Sequence, residues 1–294
     1  MAHTPSFGQW LEGARPHTWP NAVAPVIAGS GAAYFAGGFS WWRALIALVV
    51  AWALIVGVNF ANDYSDGIRG TDEDRSGPLR LTGSGLARPA AVRGAAFGAF
   101  GVAAVAGVAL SVVSNPWLIA VGAVCILAAW FYTGGKRPYG YRGLGEAAVF
   151  VFFGLVAVLG TEYTQSGSIS WVGLVAAITV GALSAAVNLA NNIRDIPSDE
   201  AAGKRTLAVL LGERRARSLF LILLLVPIPG TAALLFATWW AALGFLGAPL
   251  LLPAAAPIVR REAGARLIPV LGATGRALLA WSALTAIGLV LAAT

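Results

Sequence analysis

Apolar stretches of about 20 residues, the length a helix needs to cross a bilayer, recur along the whole of this 294-residue chain. A cleaved leader would supply one such stretch near the start, so it does not account for the pattern. The chain therefore reads as all-α and polytopic, a single transmembrane domain over residues 1–294. Its composition agrees: 58% hydrophobic and only 11% charged residues, with mean hydropathy +0.75, against roughly a quarter charged in a soluble domain. Net charge is +7, yet the basic residues sit in short segments between apolar runs, which suits a membrane lipid surface and argues against nucleic acid. The lone Cys125 excludes a disulfide framework.

Nine spans are expected, at 20–37, 41–62, 92–113, 116–133, 146–163, 170–191, 215–235, 239–258 and 273–292. Pro227, Pro229 and Gly230 mark a kink or boundary in the long apolar region before residue 239. Basic residues in short loops favour the cytoplasmic side. With a cytoplasmic amino terminus, Arg15, the 63–93 loop, Lys136, Arg137, Arg142, the 194–217 loop and the segment from Arg260 to Arg276 all fall inside, and only Arg43 falls outside. Of the acidic residues only Glu162 is placed outside, so the polar chemistry is expected at a cytoplasmic mouth.

Two segments offset along the chain share a motif: VNFANDYSD from Val58 to Asp66 and VNLANNIRD from Val187 to Asp195. Each sits at the inner end of an expected span, which is the signature of an internal repeat. Helical spacing puts Asn59, Asn62 and Asp66 on one stripe, and Asn188, Asn191, Asp195 and Asp199 on another if the helix runs through Pro197. Carboxylates on such a stripe are costly against lipid and belong in a cavity or the protein interior. Facing acids repel unless a cation bridges them, and magnesium binds through a few carboxylates together with substrate phosphates. Two such clusters read as a clamp for a magnesium diphosphate, with Asp63, Asp72, Glu73 and Asp74 adding negative charge.

Arg69, Arg75, Arg80, Lys136, Arg137, Arg194, Lys204 and Arg205 share that side and are candidates to hold phosphate oxygens. The stretch FYTGGKRPYGYRGLGE from Phe131 to Glu146 adds glycines, basic residues and tyrosines at the mouth of the fourth span. Tyr132 lies deep enough to face an adjacent cation, whereas Tyr141 fits an interfacial aromatic belt equally well. His3 and His17 are too few for a zinc or haem site. No Walker loop, dinucleotide fingerprint or paired nucleophile and base stands out.

These segments, with RPHTWP from Arg15 to Pro20 and NNIRDIPSDEAAGKRTLAVLLG after the second motif, resemble the UbiA superfamily of membrane prenyltransferases over nearly the whole chain, and most closely its 1,4-dihydroxy-2-naphthoate branch. The resemblance implies a nine-helix bundle around a central cavity open sideways to lipid. It also implies magnesium as cofactor, held by Asn62, Asp63, Asp66, Asp72, Asp195 and Asp199. Asp66, Asp195, Tyr132 and Lys136 become the expected catalytic residues. Substrate contacts are expected from Arg15, Asn59, Asn62, Arg69, Arg80, Arg137, Tyr139, Asn188, Asn191, Arg194 and Lys204. The implied partners are a polyprenyl diphosphate and 1,4-dihydroxy-2-naphthoate, joined with loss of carbon dioxide to give demethylmenaquinone. The sequence departs from the general family pattern at Gly70, where a further acid would stand, and at His17 and Trp19, and Asn192 stands where the first copy has Asp63, so the two halves are not equivalent metal ligands. A UbiA-type enzyme with another aromatic acceptor, and a cation transporter with acids along its pathway, stay open as alternatives.

Overall fold

The computed structural model describes residues 5–70 and 79–294. A short α1 (Phe7–Gly13) is closed by a capping box between Ser6 and Gln9. It leads through a 3-10 turn into α2 (Pro20–Phe35). Then follow α3 (Trp41–Gly67), α4 (Pro89–Ser114), α5 (Leu118–Phe131), α6 (Gly145–Ser166) and α7 (Trp171–Arg194). Two short helices, α8 (Ile196–Ala201) and α9 (Leu207–Leu211), precede α10 (Glu213–Leu234), α11 (Trp239–Val259) and α12 (Gly264–Ala293). No named strand occurs among the described residues; a single bridge joins Arg142 to Arg205.

Seven of these helices, α3, α4, α6, α7, α10, α11 and α12, are long and apolar enough to cross a membrane among the described residues. The expected spans at 20–37 and 116–133 emerge as shorter helices of 16 and 14 residues. Both are bounded by chemistry that stops a helix: α2 begins at Pro20 and ends before Gly37 and Gly38, and α5 lies between Pro116 and the Thr133–Gly134 turn. The boundary at 235–238 is real, while the helix before it is interrupted at Val226 next to Pro227 and then runs on to Leu234. Two crossings depart from regular winding: α6 is π-helical over Phe150–Val156, and α11 begins as a 3-10 helix over Trp239–Leu251.

At the centre stands α7. Of its apolar stretch 78% is buried, against 28–39% for the other six long helices, because it packs on α2, α6, α10 and α12 together. Small residues make this possible in lipid, where close van der Waals approach drives helix association. A Cβ built on Gly154 of α6 would lie 2.5 Å from the Cα of Gly181 of α7, so no larger residue fits that crossing. Around α7 runs the larger apolar core, ending in Trp281, whose indole N–H donates to Thr231. A second core gathers α1, α3, α4 and the 79–87 segment around Phe60, Leu81 and Phe100.

Between these two cores lies a cavity of about 480 Å³, walled by α3, α4, α5, α6 and α7. Most of its wall is apolar, including Leu54, Ile55, Phe152 and Phe153, and the charged side chains of Asp66, Arg80 and Lys204 meet at one place in it.

Candidate functional site

Asp66 is in the last turn of α3 and is buried at 2% exposure. A lone carboxylate there would be costly, and the fold answers with donors from distant segments. Tyr141 donates its hydroxyl to Asp66 Oδ1. Lys204 Nζ lies 3.6 Å and Arg80 Nη2 4.0 Å from Asp66 Oδ2. The Tyr141 ring is itself flanked by Lys204, with Nζ 4.7 Å from its centroid, and by Arg69 at 5.4 Å.

The second motif reaches the same point by another route. The expected helical stripe from Asn188 to Asp199 is broken: α7 ends at Arg194, Asp195 takes a non-helical turn, and α8 restarts with Pro197 in its first turn. Proline lacks the N–H that a continuing helix needs. The restart carries Asp199 back into the protein, where its Oδ1 lies 3.8 Å from Lys204 Nζ. A hydrogen bond from the Lys204 backbone N–H to Asp199 O (2.8 Å) closes α8 and aims the side chain. Arg205 N–H donates to Tyr141 O at 3.2 Å, knitting the loop after α8 to the loop after α5. One ammonium thus stands between acids from the two halves of the repeat.

Several expected site residues form the cavity wall. Arg15, Asn59, Asn62, Asp66, Arg80 and Lys204 line it, as do Asn188, Asn191, Tyr132 and Tyr139. The Tyr132 and Tyr139 rings meet edge to face at 5.5 Å. Tyr139 donates to Ala128 O at 2.8 Å, and burial pushes its phenol up to about 12. Asn62 accepts from Thr133 Oγ1 at 2.8 Å, and Asn59 donates to Ala14 O and Thr18 Oγ1. His17 is a neighbour in the wall. Burial, with Arg15 and Arg194 nearby, lowers its pKa to about 4, so it is neutral at physiological pH.

Other expected residues do something else. Asp63 does not line the cavity; its two oxygens accept from the backbone N–H groups of Leu81 (2.7 Å) and Thr82 (2.8 Å), pinning the segment that carries Arg80. Arg194 grips Asp195 through two hydrogen bonds of 2.7 and 2.8 Å and also donates to Asn191 Oδ1, so both charges sit behind the wall. Arg69 spends its guanidinium on the Thr133 and Gly135 carbonyls, at the outer edge of the site. Lys136 and Arg137 are exposed and absent from the wall, because the chain turns outward after Thr133. Asp72, with Glu73, Asp74 and Arg75, lies outside the described residues.

The sequence reading passed over Tyr141 as a carboxylate partner. It also passed over Glu146, which accepts from the Asn188 and Asn192 amides at 3.2 and 2.7 Å. The one signal for the latter was Asn192 standing where the repeat has Asp63.

Among the described residues no three His, Cys, Asp or Glu side chains converge as a ready metal cage. Magnesium does not ask for one, since it keeps waters and takes one or two carboxylates plus phosphate oxygens. Asp66 and Asp199 already face a common cation in Lys204, with Asn62 and Asn191 amides in the adjoining wall, so the donor set fits that ion.

Comparison with known proteins points the same way. The UbiA prenyltransferase family matches residues 22–268. A 1,4-dihydroxy-2-naphthoate octaprenyltransferase of Mycobacterium tuberculosis is 57% identical over 94% of this chain and 95% of its own. One of the same name from Escherichia coli is 37% identical over 96% and 95%. In fold, a UbiA homolog from Aeropyrum pernix superposes with a TM-score of 0.70 at 15% identity, covering 92% of this chain and 97% of that one. A UbiA homolog from Archaeoglobus fulgidus, bound to DMAPP and Mg2+, superposes with a TM-score of 0.64 at 13% identity over 95% and 99%.

Proposed function

The chain belongs to the UbiA prenyltransferase family, and we propose that it transfers a polyprenyl group from polyprenyl diphosphate to 1,4-dihydroxy-2-naphthoate, with decarboxylation, to give demethylmenaquinol, the reduced form of demethylmenaquinone. The observation that carries this reading is the meeting of Asp66 and Asp199 at Lys204, in the wall of a mostly apolar cavity. The relatives' printed substrate supports the naphthoate acceptor. The magnesium and prenyl diphosphate in a homolog's structure support the choice of cofactor and donor.

On this reading Asp66, Asp199 and the Asn62 and Asn191 amides hold magnesium, with Asp195 supporting from behind. When bound, magnesium neutralises the diphosphate oxygens and makes diphosphate a better leaving group. Arg80, Lys204 and Arg15 bind phosphate oxygens; Lys204 then exchanges its carboxylate partners for phosphate. The allylic tail lies along Leu54, Ile55, Phe152 and Phe153, where burial of apolar surface favours it and water is excluded. As the allylic carbon to oxygen bond breaks, the electron pair leaves with diphosphate. Tyr132 and Tyr139 place aromatic rings beside the developing cation. The acceptor ring carbon bearing the carboxylate supplies the electron pair of the new bond, and loss of carbon dioxide returns a pair to the ring. Lys136 and Arg137 have no place in these steps; they belong at the cytoplasmic lipid surface, on the side where the positive-inside pattern puts the mouth.

The test is purified protein in detergent with magnesium, a polyprenyl diphosphate and a panel of aromatic acids, with products identified by mass. A decarboxylated prenyl naphthoquinol that disappears with chelator is expected. Turnover of hydroxybenzoate in place of naphthoate would reassign the acceptor, and magnesium uptake into liposomes without any prenyl product would favour transport.

A further inference from the structure

Glu146 is a carboxylate that the steps above do not use. It lies in the first turn of α6, is 4% exposed, and stands behind the cavity wall. One of its oxygens, Oε1, accepts both the Asn188 and the Asn192 side-chain N–H groups, at 3.2 and 2.7 Å. The other oxygen, Oε2, is buried with no hydrogen-bond partner. A buried acid with one oxygen left unpaired is expensive to keep.

Its effect on the two amides is directional. An ionised carboxylate only accepts, so each asparagine turns its nitrogen toward Glu146 and its oxygen away. Asn188 and Asn192 both line the cavity. The Asn188 oxygen accepts the Tyr132 hydroxyl at 3.4 Å, so the line of contacts runs from Glu146 through Asn188 to Tyr132. Gly145 lets this arrangement close: a Cβ there would lie 3.0 Å from the Tyr132 hydroxyl and 3.2 Å from Asn188 Nδ2.

In the first copy of the repeat the two equivalent positions fasten separate backbone segments. Asn59, the counterpart of Asn188, fastens the Ala14–Thr18 turn, and Asp63, the counterpart of Asn192, fastens Leu81 and Thr82. In the second copy both positions turn inward on one acid.

We propose that Glu146 is a positioning residue for the acceptor: by holding the nitrogens of Asn188 and Asn192 it presents their carbonyl oxygens to the ring hydroxyls of an aromatic diol. Glu146 touches neither substrate nor metal. It acts through the two amides, which without it are free to rotate and present N–H groups that a hydroxyl donor cannot use. The inference rests on the acceptor being a dihydroxylated aromatic acid, as read above.

The experiment uses the full chain in detergent with magnesium and polyprenyl diphosphate, comparing wild type, Glu146→Ala, Glu146→Gln and Asn192→Ala. For Glu146→Ala the KM for 1,4-dihydroxy-2-naphthoate should rise about tenfold or more, the order expected for one lost oriented hydrogen bond. The KM for polyprenyl diphosphate should stay within about threefold of wild type. Glu146→Gln keeps an acceptor oxygen and should bring the acceptor KM back to within about threefold of wild type. A monomethyl ether of the acceptor adds a readout that loss of packing alone would not move: it should penalise wild type but add little to Glu146→Ala, because the missing contact is the same one. Equal rises in both KM values, an unchanged acceptor KM, or an ether penalty that simply adds to that of Glu146→Ala would overturn the inference. Should Glu146→Ala fail to fold, Asn192→Ala is held to the same acceptor-specific criterion. Wild type that makes no naphthoate product at all sinks the functional reading instead, before any variant is compared.

Discussion

Lys204 places its ammonium 3.6 Å from the carboxylate of Asp66, across the boundary between the two halves of the repeat. Lys204 comes from the loop after the second motif, whereas Asp66 ends the first. Its side chain is only 12% exposed, so solvent screens the pair weakly. The same ammonium serves Asp199 at 3.8 Å, holding apart two acids that would otherwise repel. Lys204→Ala should therefore have opposite effects on two ligands. Affinity for polyprenyl diphosphate should fall by about tenfold, or about 1.4 kcal/mol, because a phosphate donor is gone. Magnesium binding measured without substrate should tighten, because the carboxylates no longer have a resident cation. Calorimetry with each ligand separately checks both signs, and weaker magnesium binding would show that Lys204 supports the metal directly.

Asp63 and Asp66 are three residues apart, yet they should fail differently. Removing Asp63 orphans two backbone N–H groups beside the fully buried Leu81. Asp63→Ala should cost about 2 to 4 kcal/mol of stability by that desolvation, read as a lower melting temperature in detergent. Asp66→Ala takes the acid from Tyr141, Arg80 and one side of Lys204, so it should lower the melting temperature too, but its prenyl transfer should drop by about a hundredfold or more in the folded protein. A folded Asp66→Ala with residual activity like that of Asp63→Ala would reverse the assignment.

Tyr141 contributes a hydroxyl and a ring, and the two separate by substitution. Tyr141→Phe loses the hydrogen bond to Asp66 but keeps the face toward Lys204 and Arg69. A drop of about tenfold in kcat/KM is expected, in line with one charge-assisted hydrogen bond. Tyr141→Ala removes both and should lose more, with diphosphate KM affected most because Lys204 and Arg69 are no longer held over a ring.

The helices were legible because each apolar run is a local property, and the repeat was legible because its residues are contiguous. What escaped were contacts whose partners lie far apart in sequence. Tyr141 reads as an interfacial aromatic until the loop after α5 meets the end of α3. Asp199 reads as one more residue on a stripe until Pro197 breaks the helix and turns it inward. Lys136 and Arg137 carried the same sequence signals as Lys204, a basic residue in an inner loop. Only the direction of the chain after Thr133 separates them, leaving the first two exposed while Lys204 lines the cavity. Charge placement therefore singled out one end of the molecule without ranking the residues there.

His17 gives a pH dependence with a definite sign. In the fold, burial and the neighbouring Arg15 and Arg194 lower its pKa from 6.5 to about 4. Between those values the unfolded chain binds a proton at this position and the folded chain does not, so stability falls as pH drops through that window and recovers as pH rises. Above about 6.5 both states are neutral there and the contribution is flat. His17→Gln, which is neutral at every pH, should lack this part of the slope. The difference between the melting curves of His17→Gln and wild type should thus open in the variant's favour from pH 6.5 down to 4 and vanish near pH 7.5. A difference that is constant with pH would mean that the fold leaves the imidazole unshifted, and one that opens in the wild type's favour as pH falls would mean that the fold holds it protonated, paired with an acid rather than crowded by arginines.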